Sequence, residues 1–261
     1  MSSSLAGSTE LLGKQDLHVH TTMSDGDVPL EKLVEIARAR GVTVGVADHV
    51  SSRNVKMFVS TKERLESYLA QLEAADVLVS AELCWCDAFA PTVMDMLLER
   101  CDYLVGSNHG FALPDGSFGS PWWKKLPAAW ADRPHELMDI MVHNLCDMVA
   151  AMPIEIAAHS TLLPVALTDL EKDVEAWWTE ELEDRFIEAS IRAGVALEIS
   201  NRYQLPHDRF LLKAKQAGAR FSLGSDGHHV HQVAQLAWSR STAIRVGITD
   251  ADLFWAEPRA R

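Results

Sequence analysis

Residues 14–47 read KQDLHVHTTMSDGDVPLEKLVEIARARGVTVGVA, and this stretch contains one complete unit of the pattern that decides the fold. A short apolar run predicts a strand at 14–19, and the run VTVGVA predicts another at 42–47. Between them, apolar residues recur at helical spacing, with Pro29 near the start of the helix and Gly41 just past its end. The stretch is therefore a β-then-α unit that leads into a second strand.

The same alternation continues along the chain. Five further apolar runs predict strands, at 77–83, 103–107, 154–158, 195–199 and 220–224. Helical periodicity separates or follows them, at 61–75, 91–100, 135–150, 180–193, 208–217 and 232–240. Such alternation predicts an α/β fold with a parallel sheet, and seven units in one chain favour a (β/α)7 barrel over an open sheet.

Composition predicts a single domain over residues 1–261. The chain is 48% hydrophobic and 23% charged, which is enough apolar material for one core, and it contains no repeat or linker. We expect residues 1–13 to be loosely ordered. Residues 110–134 are rich in Gly, Pro and Trp, which predicts a long loop that lies over a site at the strand ends. Its tryptophans either form a lid over that site or attach the loop to the barrel: Trp122, Trp123 and Trp130.

The charge and the cysteines bear on partners and location. The formal net charge of −13 repels phosphate backbones and therefore disfavours nucleic acid as a partner. The cysteines lack CxxC spacing and fit buried thiols in a reducing cytoplasm: Cys84, Cys86, Cys101 and Cys146. No run has the roughly 20 apolar residues that a membrane-spanning helix needs. The oligomeric state is left open by the sequence.

Polar residues cluster where the predicted strands end. His18 and His20 flank Val19, and residues two apart on a strand point to the same face, so one metal can take both imidazoles. Other candidate ligands follow or end further strands: Asp25, His49, Glu82, His109, His159, Asp226 and His228. In a parallel barrel these strand ends share one face.

Convergence of nine such groups predicts bound metal. Without cations, burying them together would impose like-charge repulsion and desolvation costs, whereas divalent ions neutralise the carboxylates. Two other histidines fall within a helix pattern, and we assign His135 and His143 to structural or solvent roles.

Six separated motifs now carry a family resemblance. They are DLHVHTTMSDGD at 16–27, ADH at 47–49, AEL at 81–83, SNH at 107–109, AHS at 158–160 and GSDGHH at 224–229. In order and content they resemble the polymerase and histidinol phosphatase (PHP) family. This resemblance implies a distorted (β/α)7 barrel that binds two to three divalent metals, namely zinc, manganese or iron, and hydrolyses phosphate esters.

The resemblance also implies a ligand assignment. One metal would bind His18, His20, Glu82 and Asp226, with Glu82 bridging to a second. The second metal would add His109 and His159, and a third would use Asp25, His49 and His228. Asp25 stands where some members have His, which bears on the third site.

Clustered cations imply the mechanism. A hydroxide that bridges two metals would attack phosphorus, because coordination lowers the pKa of water, with Asp226 and Glu82 as the catalytic carboxylates. For phosphate recognition we rank Arg202, in the loop after strand six, above Arg53.

The sequence favours a phosphatase acting on a small phosphate monoester, such as a histidinol-phosphate-like compound or a nucleotide. Two alternatives stay open: a phosphodiesterase or 3'-5' exonuclease, and a noncatalytic metal-binding domain. The amidohydrolase superfamily also begins with HxH in a barrel, but no lysine here ends strand four.

Overall fold

The computed structural model describes residues 7–53 and 59–260, and it has an α/β architecture. Its strands are β1 (Gln15–Val19), β2 (Thr43–Val46), β3 (His49–Val50), β4 (Leu78–Val79), β5 (Glu82–Cys84), β6 (Val105–Ser107), β7 (Phe111–Ala112), β8 (Phe118–Gly119), β9 (Ile156–Ala157), β10 (Ala196–Ser200) and β11 (Phe221–Gly224). Its α-helices are α1 (Leu30–Arg40), α2 (Lys62–Glu73), α3 (Pro91–Arg100), α4 (Pro134–Ala151), α5 (Val165–Leu170), α6 (Val174–Trp177), α7 (Glu180–Ala193), α8 (Asp208–Ala217) and α9 (Ala237–Arg245). All seven predicted strands are present.

Two parallel sheets contain these strands. One sheet has the order β1-β2-β4, and the other has the order β11-β10-β9-β6-β5-β3. The second predicted strand, at 42–47, contains β2 and is followed directly by β3, while the third contains β4 and the start of β5, so each region contributes one segment to each sheet. The parallel pairing that the alternating pattern predicts is therefore confirmed, since β7 and β8 form the only antiparallel pair among the strands of the described residues.

The first and last strands also meet. Val19 forms a parallel bridge with Gly227, and the backbone N–H of His20 donates to the carbonyl of Gly227 at 3.0 Å. Below this bridge the N–H of Ser225 donates to the buried Asp16 carboxylate at 2.8 Å. These bonds place the end of β1 beside the residues that follow β11.

Helix α7 shows how local signals position the crossovers. The Thr179 hydroxyl accepts from the N–H of Leu182 at the start of the helix, and Gly194 ends it in a left-handed conformation (φ 73°). The apolar face buries Phe186 and Ile187, each contributing about 1.5–3 kcal/mol of hydrophobic stabilisation. Caps set the length of the helix, and burial fixes it against the sheet.

The helix predicted at 232–240 is displaced, and α9 begins only at Ala237. Residues 231–234 form a turn in which Ala234 has φ 55° and its N–H donates to the carboxylate of Asp16 at 2.9 Å. The buried Asp16 carboxylate thus accepts a backbone hydrogen bond from the turn before α9, and the helix begins about one turn later than predicted.

The cysteine prediction was wrong for three of the four residues. Cys101 is buried, but Cys84, Cys86 and Cys146 are partly exposed. Cys84 ends β5, and the chain turns directly after it, with the N–H of Asp87 donating to the carbonyl of Cys84 at 3.0 Å. This turn carries the second thiol out of the strand.

Among the described residues, helices long and apolar enough to traverse a lipid bilayer are absent.

Candidate metal centre

The nine predicted ligands all lie around one face formed by the strand ends. His18 lies in β1, His49 begins β3 and Glu82 begins β5, while the others follow strands within a few residues. They surround a cavity of about 300 Å³, whose lining residues are Asp25, His49, Glu82, His109, Trp122, His159, Arg202, Tyr203, Asp226 and His228. His18 and His20 are buried beneath it.

Glu82 is the centre of this arrangement. Its carboxylate is buried, with 1% of the side chain exposed, and imidazole nitrogens approach both oxygens. The distances to Oε2 are 3.4 Å from His18, 3.5 Å from His20 and 2.9 Å from His49, and those to Oε1 are 3.5 Å from His109 and 3.4 Å from His159. Within residues 7–53 and 59–260, neither oxygen has a hydrogen-bond partner of acceptable geometry. A buried carboxylate in that condition is expected to bind a cation.

The spacing of the donors fits a metal. Zinc with nitrogen and oxygen ligands at about 2.0–2.2 Å in tetrahedral geometry places neighbouring donors about 3.4 Å apart. The Nε2 atoms of His18 and His20 lie 3.1 Å apart, and Nε2 of His20 lies 3.3 Å from Oδ1 of Asp226. On the outer side, Nε2 of His228 lies 3.4 Å from Oδ1 of Asp25. Like-charged or competing donors rarely converge at such distances without a cation between them.

Three groups of donors are compact enough to hold an ion. They are His20 with Asp25, His49 and His228; His18 with His20 and Glu82; and His49 with Glu82 and His109. The other two predicted ligands adjoin these groups: Nε2 of His159 lies 3.4 Å from that of His109, and Oδ1 of Asp226 lies 3.3 Å from Nε2 of His20. The structure thus brings all nine predicted ligands together, with His20, His49 and Glu82 shared between groups.

Electrostatics hold three of these donors in states that suit ligation, whereas nearby carboxylates outweigh burial and raise the pKa of two others: Glu198 and Glu82 raise that of His18, and Glu82 raises that of His49. Burial raises the pKa of Glu82, but the surrounding imidazoles, that of His49 first, outweigh burial and hold it well below its usual range. Burial likewise lowers the pKa of His109 to about 3 and lowers that of His20. The carboxylate is therefore ionised and these imidazoles are neutral, which are the forms that bind metal.

Two of the donors occupy backbone conformations that non-glycine residues rarely adopt. His159 has φ 27° and Asp226 has φ 47°. Left-handed conformations cost about 1–3 kcal/mol and persist only where surrounding contacts enforce them, which is typical of functional sites. These conformations lower the stability of the fold locally, and in them both side chains line the cavity.

Glu198 is a functional residue that the sequence reasoning missed. It lies in β10, fully buried, and Oε1 lies 2.7 Å from Nδ1 of His18 while Oε2 accepts from the N–H of His159 at 2.7 Å. A carboxylate on the far nitrogen fixes the tautomer and leaves Nε2 for the metal. Its signal was a charged residue inside the apolar run VALEI, on the one strand that offered no ligand.

Asp48 is the second missed residue. Its carboxylate accepts from the N–H of Thr21 at 2.8 Å and from the Thr21 hydroxyl at 2.6 Å, and also contacts the Ser24 hydroxyl. These bonds anchor the loop that carries Asp25. The residue stands in the ADH motif, directly before the predicted ligand His49.

A second wall of the cavity faces the donors. Nη1 of Arg202 lies 2.7 Å from Nδ1 of His228 and 3.4 Å from Oδ1 of Asp226, and its guanidinium lies over the ring of Tyr203. Arg53 is elsewhere: it stacks on Phe118, pairs with Asp87 at 3.7 Å and does not line the cavity. Arg202 is therefore the arginine that the structure brings to the site.

The tryptophans of the 110–134 loop lie in different surroundings. Trp122 is 48% exposed and lies 6.1 Å from His109 and 6.2 Å from Tyr203, measured between ring centroids. Trp123 packs on the buried Phe111, and Trp130 is itself buried. One aromatic side chain thus reaches the cavity while the other two attach the loop to the core.

The two histidines assigned to other roles lie away from the cavity. His143 pairs with Asp147 at 3.5 Å on the surface of α4, and His135 lies against Trp177.

Comparison with known proteins identifies a family for this chain. A family model described as the PHP domain matches residues 16–202, which include seven of the nine donors; Asp226 and His228 follow the matched segment. No curated protein sequence matches the chain.

Two solved structures show weak similarity. An HpcH/HpaI aldolase from Desulfitobacterium hafniense DCB-2 has 14% identity and a TM-score of 0.41, covering 89% of this chain and 92% of the aldolase. A two-domain protein from Bacteroides vulgatus ATCC 8482, which contains a predicted PHP-like metal-dependent phosphoesterase, has 12% identity and a TM-score of 0.37. The similarity covers 85% of this chain and 53% of that protein, so the chain spans about half its length.

Proposed function

The chain belongs to the PHP domain family, and we propose that it is a metal-dependent phosphatase that acts on small phosphate monoesters. The observation that carries this proposal is the buried Glu82 carboxylate, approached by five imidazoles and without a hydrogen bond from the described residues. A site built in this way serves cations, and the cavity above it is open to a ligand.

We assign two to three divalent ions, zinc, manganese or iron, to the nine donors. The first would bind His18, His20, Glu82 and Asp226; the second Glu82, His109 and His159; and the third Asp25, His49 and His228. When bound, such ions supply an activated water nucleophile and neutralise charge on the phosphoryl oxygens.

The protein's own groups orient the ester and supply charge at the site. Arg202 lies beside Asp226 and His228 at the cavity wall, where its guanidinium can donate two hydrogen bonds to a phosphoryl group. Nearby imidazoles outweigh burial and hold the pKa of Asp226 below its usual range, so this catalytic carboxylate is ionised and suited to binding a cation. Glu82 lies within 3.5 Å of five imidazole nitrogens and holds these side chains in position.

Size and charge support a small substrate. A cavity of about 300 Å³ lies at the lower end of the range of about 300–1,000 Å³ that is usual for small-molecule sites. The net charge of −13 opposes a long polyanion. Both features favour a monoester, of the histidinol-phosphate or nucleotide type, over a nucleic-acid strand.

We extend the proposal to the architecture, as a single distorted (β/α)7 barrel that closes between β1 and β11. The Val19–Gly227 bridge and the bond from the N–H of His20 to the carbonyl of Gly227 support closure at that seam. Closure would place the first two donors next to the last two.

The test is a substrate panel on metal-free protein reconstituted separately with zinc, manganese and iron(II). We expect hydrolysis of p-nitrophenyl phosphate and of nucleoside monophosphates, with much slower turnover of bis-p-nitrophenyl phosphate. Exclusive turnover of the diester or of single-stranded DNA would indicate a phosphodiesterase or exonuclease instead. A metal-loaded protein that hydrolyses none of them would indicate a noncatalytic metal-binding domain.

A further inference from the structure

Two cysteine thiols lie together at the rim of the fold, outside the donor cluster. Sγ of Cys84 and Sγ of Cys86 are 3.2 Å apart, and both side chains are partly exposed. In an extended strand, residues two apart share a face but lie farther from each other. Here the turn closed by the N–H of Asp87 and the carbonyl of Cys84 brings the two sulfurs into contact.

The surroundings fix this pair in place. The N–H of Trp85, between the two cysteines, donates to the carbonyl of Ser107 at 2.9 Å. Cys86 packs against Gly110, where a Cβ atom would lie 2.9 Å from its sulfur, so glycine is needed for this approach. On its other side Cys86 lines a surface cavity of about 470 Å³, through which a small reagent can reach the sulfur.

We propose that Cys84 and Cys86 form a redox modification site, a dithiol that a hydroperoxide converts reversibly into an intrachain disulfide. The thiolate of Cys86 attacks the peroxide and breaks its O–O bond, giving a sulfenic acid and the reduced alcohol or water. The thiol of Cys84 then attacks that sulfur and releases water as the S–S bond forms. The peroxide is reduced by two electrons, and the dithiol is oxidised by two.

The geometry supports a bond within the pair. A disulfide has an S–S length of about 2.05 Å, so the sulfurs need to approach by only about 1 Å. The Cys84 thiol and the Arg53 guanidinium stabilise the Cys86 thiolate against burial and hold the pKa of Cys86 at about 7. Cys86 also lines the surface cavity whereas Cys84 does not, so we assign Cys86 as the attacking thiol and Cys84 as the resolving one.

The site is independent of the proposed hydrolytic function, but it adjoins the donor cluster. Cys84 lies two residues after Glu82 on β5 and pairs in register with Ser107, whose hydroxyl lies 3.3 Å from Nδ1 of His109. A disulfide would reshape the turn next to two donors. We expect oxidation to lower the amount of metal bound, and reduction to restore it.

The experiment treats the reduced, zinc-loaded protein with hydrogen peroxide, then alkylates the remaining thiols and maps them by peptide mass spectrometry. We expect Cys84 and Cys86 to be lost together, to appear as one disulfide-linked peptide and to return with dithiothreitol. Cys84→Ser and Cys86→Ser should each abolish the disulfide. Cys146→Ser is the matched control, because Cys146 is also partly exposed and its thiol donates to the carbonyl of Arg185 at 3.8 Å; it should leave the disulfide unchanged.

Two results would overturn the proposal. One is oxidation of Cys146 at peroxide doses that leave Cys84 and Cys86 alkylatable, and the other is a disulfide between two chains on a nonreducing gel. Phenylarsine oxide gives a check that needs no variant, since it bridges paired thiols by releasing water. We expect one equivalent to protect both cysteines of the native protein from alkylation, and failure to protect them would contradict the pairing.

Discussion

The two walls of the cavity are built in different ways. The donor wall comes from the ends of parallel strands, where Glu82, His18 and their neighbours are buried and fixed by a second layer of carboxylates. The opposite wall comes from two loops, which supply Trp122, Arg202 and Tyr203. Here Arg202 is 31% exposed and Trp122 48% exposed.

This difference separates chemistry from selectivity. Strand ends hold ligands rigidly because the strands are hydrogen-bonded into sheets and packed by helices, and metal ligation needs such rigidity. Loops tolerate substitution, so the residues that contact the variable part of a substrate lie there. Changes in the donor wall should therefore abolish function, whereas changes in the loop wall should adjust it.

The largest effect is expected from Glu82→Gln, in the donor wall. Removing the charge at the centre of five imidazoles should lower activity by more than about 100-fold, which is the upper end for residues that only support a ligand. Metal stoichiometry, measured by inductively coupled plasma mass spectrometry, should fall as well.

The control for this variant is Glu188→Gln on the exposed face of α7, which should change neither quantity. Circular dichroism should show both variants folded. Full activity and full metal content in Glu82→Gln would mean that Glu82 does not bridge metals.

A smaller effect is expected from Glu198→Gln, which tests the layer behind the donors. The amide keeps the shape of the side chain but removes its negative charge. That charge acts on His18, because Glu198 and Glu82 together raise the pKa of His18 against the effect of burial. Loss of such a partner typically weakens metal affinity by about 10-fold to 100-fold. Competition with a chelating indicator measures this affinity, and an unchanged value would reduce Glu198 to a packing role.

The same difference explains what the sequence could predict. The strand-end donors follow from two regularities: apolar runs locate the strands, and parallel strands share a face, so His109 and His159 could be placed together from positions 50 residues apart. No such rule places a loop. Which tryptophan faces the cavity depends on how the loop is anchored, here by backbone bonds from Val165 to Pro121 and from Ala166 to Trp123.

Glu198 is not predicted from the sequence for a related reason, since it contacts His18 and is not itself one of the predicted metal ligands. The start of α9 escaped it too, because the turn before that helix is set by the distant Asp16. Contacts between residues far apart in the chain decide both features, and local periodicity does not contain them.

In the loop wall, Arg202→Ala should lower kcat/KM by about tenfold, the equivalent of one hydrogen bond to a charged group at about 1.5 kcal/mol. Arg202→Lys should recover only part, because an ammonium group cannot donate the paired hydrogen bonds of a guanidinium. Arg53→Ala is the matched control, since Arg53 stacks on Phe118 away from the cavity, and it should leave steady-state kinetics unchanged. A larger fall in kcat/KM for Arg53→Ala than for Arg202→Ala would indicate that Arg53 binds the phosphate instead.

The smallest effect is expected from Trp122→Ala. The ring contributes contact area and no charge, and one aromatic contact is worth about 0.5–1.5 kcal/mol beyond buried area, so KM should rise about threefold with kcat nearly constant. Phe118→Ala is the control, because it removes an exposed aromatic ring from the same loop without changing the lining of the donor cavity. A large fall in kcat for Trp122→Ala would show that this loop helps to organise the donors, and the division between a chemical wall and a selective wall would then fail.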